Sequence, residues 1–147
     1  MQIEIKFSRK INPVIYSEYS KFIYSQMKKD IIKSVRKNSK KYKVREKFIL
    51  ESTLIKWKKD PPSRINLEYY LENCLELVDI KGTYVIRLND SWLVKGSVTK
   101  VKTLVRILEY GTLKLPQLPV VRRVFNYYSK NYQNLFVEFM KERLFKL

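Results

Sequence analysis

LVRILEYGTLKLPQLPVVRRV, residues 104–124, decides how the rest of the chain is read. It contains Gly111, one of three glycines in the sequence, and Pro116 and Pro119, two of five prolines. Upstream, Val101, Leu104, Val105 and Leu108 recur at helical spacing and predict a short helix of about ten residues. Gly111 is its natural stop, because glycine takes the left-handed conformation that closes helices without steric cost. Downstream, Val121, Val124, Phe125, Tyr128, Tyr132, Leu135, Phe136, Phe139 and Met140 mark a long last helix, expected to run nearly to Leu147. The two prolines between these helices make a stiff bridge. The stretch therefore reads as a joint that sets the angle of the last helix to everything before it.

Working toward the N-terminus, Gln2–Phe7 alternates as QIEIKF, with Ile3, Ile5 and Phe7 on one face, and predicts a half-buried strand. Asn12 followed by Pro13 predicts a helix start. Ile15, Tyr19, Phe22, Ile23, Met27, Ile31 and Val35 then form one apolar stripe, interrupted at Asn38-Ser39. Tyr42, Phe48, Ile49, Ser52 and Ile55 suggest a second, less regular helix reaching Trp57, stopped by Asp60-Pro61-Pro62-Ser63. A short helix after Asn66 should lead into a hairpin, with strands Leu75–Ile80 and Thr83–Leu88 and its turn at Lys81-Gly82. Trp92–Val98 shows no period and reads as a loop. The expected fold class is α+β: a small antiparallel β-sheet packed against a long N-terminal helix and a C-terminal helix, in one domain spanning residues 1–147.

The composition fits a chain that buries a core: hydrophobic residues make up 45%, too many for a disordered chain. No window has the roughly 18 apolar residues of a membrane span, and MQIEIKFSRK lacks a secretory apolar region, so a cytoplasmic origin with no membrane partner is expected. The lone Cys74 sits among Leu71, Leu75 and Leu77 and reads as a small buried hydrophobe.

Thirty-one Lys and Arg against 14 Asp and Glu give a formal charge of +17, a field that attracts polyanions. A lysine-rich proteome yields the same excess without any function, so the charge alone decides nothing. With no histidine and one cysteine, the Ser-His-Asp and Cys-His arrangements and the usual zinc sites are excluded. The three isolated glycines build no phosphate loop. A magnesium nuclease built on Asp and Glu stays formally open, but the acids are scattered. The close set Glu68, Glu72, Glu76 and Asp79 reads as a surface face. No catalytic residue, metal or cofactor is expected.

The candidate binding residues fall in two groups. The run from Lys28 to Lys47 carries ten Lys or Arg and two acids. In it Lys28, Lys29, Lys33, Arg36, Lys37, Lys40, Lys41, Lys43 and Arg45 could meet DNA phosphates or an acidic partner, or form a solvated helix face. The nearby Tyr16, Tyr19, Tyr24 and Tyr42 have the spacing of packing residues rather than of a base-stacking platform. The second group is the joint itself: Glu109, Tyr110, Gly111, Thr112, Pro116, Pro119, Arg122 and Arg123. Tyr127, Tyr128, Tyr132 and Lys130 should populate the first turns after it, at an oligomer interface or on the core.

Leu108-Glu109-Tyr110-Gly111-Thr112, then Lys114, Pro116, Pro119 and Arg122-Arg123-Val124-Phe125, resembles a signature of tailed-phage neck proteins. These belong to the head-tail connector or tail-completion family, also called minor tail protein Z-like, in which an apolar-Glu-Tyr/Phe-Gly-Thr segment precedes a proline bridge and a helix. The close match covers the joint, and the order of elements is similar over most of the chain. The family's Pro-Val-Asp-Thr-Gly-like loop between first helix and sheet has no counterpart between Ser39 and Ser63. The resemblance implies a non-enzymatic virion protein, assembled in the host cytoplasm as a hexameric ring. That ring would join connector to tail-tube or terminator proteins, with DNA passing through it. The competing reading is a small basic nucleic-acid-binding protein using residues 28–47.

Overall fold

A computed structural model describes residues 1–145; the expected extension of the last helix toward Leu147 lies outside the described residues. In chain order the elements are β1 (Gln2–Ile5), α1 (Pro13–Lys37), α2 (Ser39–Glu51), α3 (Leu67–Cys74), β2 (Leu75–Ile80), β3 (Thr83–Leu88), α4 (Val101–Tyr110) and α5 (Val121–Phe145). The fold is α+β, with three antiparallel strands in the order β1-β3-β2.

β3 is central because it is the richest in β-branched and aromatic residues and can be covered on both edges. Its partners are fixed in register by Ile3 opposite Ile86 and by Leu75 opposite Leu88. The β2–β3 turn needs positive φ at both central residues, and Lys81 (φ 52°) and Gly82 (φ 86°) supply it. Asp79 Oδ1 accepts the Gly82 N–H at 2.8 Å and steadies that turn. β1 is shorter than expected, ending at Ile5 rather than Phe7. Past Ile5 the Lys6 backbone turns to Tyr132: its N–H donates to the Tyr132 hydroxyl and its carbonyl accepts from it. Phe7 still packs inward, against Phe136 with ring centres 4.9 Å apart.

α1 starts where Asn12 Oδ1 accepts the Val14 N–H at 2.9 Å, and it buries Tyr19, Ile23, Met27, Ile31 and Val35. That stripe meets α5 through an aromatic seam in which Tyr19 lies 4.9 Å from Phe136 and Phe22 lies 5.2 Å from Phe139. The Tyr19 hydroxyl donates to the Tyr132 carbonyl. α2 ends at Glu51 and does not reach Trp57. The Ser52 hydroxyl donates to the Ile49 carbonyl and accepts the Leu54 N–H, so the side chain takes the place of the next helical turn. Trp57 instead forms an antiparallel bridge to Ser97. Asn66 caps α3, and Cys74 is fully buried, its thiol donating to the Asn89 carbonyl at 3.2 Å while burial pushes its pKa up. No helix among the described residues is long and apolar enough to cross a membrane.

Candidate functional site

The joint is built from the inside out. α4 turns Val101, Leu104, Val105 and Leu108 into the core, and Glu109 follows them onto the same buried face, 1% exposed. A carboxylate there must find donors within the fold. It finds them at the start of α5: Glu109 Oε1 accepts the Val121 N–H at 2.6 Å and Oε2 the Arg122 N–H at 3.2 Å. Glu109 therefore serves as the N-terminal cap of a helix that begins twelve residues later in the chain. Burial pushes its pKa above the usual carboxylate range, while the two N–H groups and the Arg122 charge pull it back. Both carboxylate oxygens are thereby committed inside this chain rather than free for a neighbour.

Gly111 carries the reversal between the helices. Its N–H closes α4 on the Ile107 carbonyl at 2.8 Å, and its φ of 74° with ψ of −172° is a conformation essentially confined to glycine, distinct from the left-handed helical one expected. A Cβ there would stand 2.3 Å from the Leu115 carbonyl oxygen and 2.8 Å from the Gln117 nitrogen. The loop folds back that tightly because Thr112 holds it: its N–H donates to the Leu115 carbonyl at 2.7 Å, and its hydroxyl accepts the Leu115 N–H at 3.1 Å. Leu115, Leu118 and Val120 are buried, the Leu118 N–H reaches the Leu108 carbonyl at 3.2 Å, and Pro116 and Pro119 stiffen the intervening turns. Arg122 locks the outside. Its guanidinium lies 4.1 Å from the centre of the Tyr110 ring and donates to Gln117 Oε1 at 3.1 Å. At the tip, Leu113 is fully exposed.

The basic run does not form one face. Asn38 breaks it, leaving Lys40, Lys41 and Lys43 exposed on α2 and Arg45 half-buried, with one guanidinium nitrogen on the Lys41 carbonyl. Arg36 is paired with Glu68 of α3 at 2.8 Å. Lys28 sits over the Tyr24 ring. Lys29 lines a shallow cleft with Lys28 and Glu72. Lys33 and Lys37, however, meet Arg123 of the joint across a cleft of about 540 Å³ between α1 and α5, also lined by Asn38 and Tyr127. Its one carboxylate among the described residues is Asp30, held by the Tyr128 hydroxyl at 2.5 Å. Tyr128 and Tyr132 thus serve the core side of α5, and Tyr127 faces outward.

Sequence reasoning did not anticipate the exposed Leu113, although an apolar residue between Thr112 and Lys114 in a turn was a visible signal. It also missed a cleft formed by Trp57 and Trp92, which only the tertiary fold brings together. Comparison with known proteins gave no matching family model, no matching curated protein and no matching solved structure.

Proposed function

We propose that the chain is a structural, non-enzymatic subunit of a tailed-bacteriophage head-tail connector. It would act as a neck or tail-completion protein that closes into a hexameric ring around the DNA channel and resides in the virion after assembly in the host cytoplasm. The observation that supports this reading best is Leu113, a fully exposed apolar side chain on a loop fixed from beneath by Gly111, Thr112 and the Glu109 cap. A ring closes only if every protomer repeats the same head-to-tail contact at the same angle, and a rigid projection aimed at a neighbour meets that need. The likeness of residues 108–125 to the neck signature points the same way. Adjoining connector and tail-tube or terminator proteins are the partners in this reading.

Leu113→Asp tests the contact. The side chain has no fold to disrupt, so the variant should keep the wild-type melting temperature while sedimentation velocity shifts from ring to monomer. A wild type that stays monomeric at high concentration, or a ring indifferent to Leu113→Asp, would overturn the reading. The cleft where Lys33, Lys37 and Arg123 converge supports a second reading, a nucleic-acid-binding protein whose affinity falls steeply with salt.

A further inference from the structure

Trp57 and Trp92, the only tryptophans in the sequence, line one cleft of about 810 Å³ together with Tyr69, Arg64 and Lys95. It lies on the side of the fold where the loop after α2 meets the loop after β3. The frame is pre-formed. The Lys58 N–H donates to the Gly96 carbonyl at 2.9 Å and the Val98 N–H to the Lys56 carbonyl at 3.0 Å, clamping the two loops together. The Lys95 N–H donates to the buried Tyr70 hydroxyl at 2.7 Å.

Both indoles rest one side on the hydrophobic core and leave the rest of their surface to the cleft. Tyr69 is 49% exposed and the two indoles are half-buried, with the Tyr69 and Trp92 ring centres 6.4 Å apart. The Trp57 indole nitrogen is buried and its N–H finds no acceptor among the described residues. The surroundings are basic. Arg64 and Lys95 face a single lining carboxylate, Asp60, and neither makes an ion pair among the described residues. Lys58 and Lys59, exposed, separate Trp57 from Asp60 in the sequence.

Flat apolar rings beside unpaired cations suit a ligand that alternates flat apolar faces with negative charge. We infer that this cleft binds single-stranded nucleic acid, with bases stacked on Trp92, Tyr69 and Trp57 and phosphates on Arg64 and Lys95. A duplex is disfavoured because its base faces are already stacked on one another. An acidic peptide would use the cations but not the three ring faces together. The site is separate from the α1–α5 cleft and from the joint, and it stands whether or not the chain forms rings.

Because both tryptophans line the cleft, the whole indole emission of the intact chain reports on it. Titrations would use oligothymidylate and oligouridylate of about twelve nucleotides, within the usual span of single-strand binders. Duplex DNA, inorganic polyphosphate and an acidic proline-rich peptide would be the comparison ligands. One or both single strands should quench the emission, which tells DNA from RNA, while polyphosphate should not. Trp92→Ala should weaken binding about fivefold or more, the lower end of one base-aromatic stack. Tyr69→Ala, at an exposed position, gives the same test if Trp92→Ala loses helical circular dichroism. Arg64→Ala should lower the slope of log affinity against log salt by about 0.7, one phosphate's share on a single strand. Lys21→Ala, at an exposed position of α1 that lines neither this cleft nor the α1–α5 cleft, should leave the quenching unchanged. Equal quenching by polyphosphate, quenching by the peptide alone, or unchanged affinity in Tyr69→Ala would overturn the inference.

Discussion

Gly111→Ala should cost far more than the removal of one glycine's flexibility, and the structure says how much more. Alanine must first hold a φ of 74° and ψ of −172°, a strain of about 1–3 kcal/mol. Its Cβ would also stand 2.3 Å from the Leu115 carbonyl oxygen, which belongs to backbone and cannot rotate aside. Relieving that clash moves the turn and breaks the Thr112 N–H bond to the same carbonyl, and it weakens the Leu118 N–H bond to Leu108. Each such bond is worth about 1 kcal/mol. The sum is about 3–5 kcal/mol against a typical domain stability of about 5–15 kcal/mol. For a chain of this length that loss lowers the melting temperature by about 6–20 °C.

Gly96 supplies the control. It has φ 79°, yet a Cβ there meets nothing within 4 Å, so Gly96→Ala should cost only the backbone term of about 1–2 kcal/mol. Urea denaturation of the three proteins, followed by circular dichroism, measures the difference. Gly111→Ala and Gly96→Ala within about 0.5 kcal/mol of each other, below what separate sites normally scatter by, would refute the steric reasoning.

Two further outcomes follow from the charges. The Glu109 pKa is raised in the fold by burial, so between its unfolded value near 4.5 and the raised folded value the native chain binds more protons than the unfolded chain. Stability from this group is therefore fullest below 4.5 and declines as pH rises through the folded pKa. Glu109→Gln should remove that decline from a plot of urea midpoint against pH, and identical profiles would contradict the buried cap. Asp30→Asn removes the carboxylate that lines the cleft with Lys33, Lys37 and Arg123. If that cleft meets DNA, binding measured by anisotropy tightens at low salt and gains salt dependence; unchanged affinity would assign the cleft to another role.

The parts legible in sequence were those decided locally. Lys81-Gly82 flanked by alternating residues gave the hairpin because a two-residue turn with positive φ leaves one register open. Asn12-Pro13 and Asn66 marked helix starts through side-chain oxygens that sit beside the N–H groups they satisfy. The extent of α2 was misjudged because Ile55 looks like a continuation of the stripe, and it is buried, but by a loop after Ser52 has closed the helix. Glu109 is the instructive case. It falls four residues after Val105 and so on the apolar face of α4, a placement visible in the sequence that requires a donor inside the fold. Which donor it finds depends on α5 arriving there, a non-local fact. The same holds for the tryptophan cleft, whose rings come from two irregular segments without a period to follow, and for Lys33 and Lys37, which gain a partner in Arg123 only when α5 packs on α1.

Negative-stain electron microscopy of the purified chain at high concentration tests most directly whether this joint serves ring closure. Closed rings of one size, lost in Leu113→Asp, are the expected result. Dispersed monomers in the wild type, folded and with an intact melting transition, would contradict it.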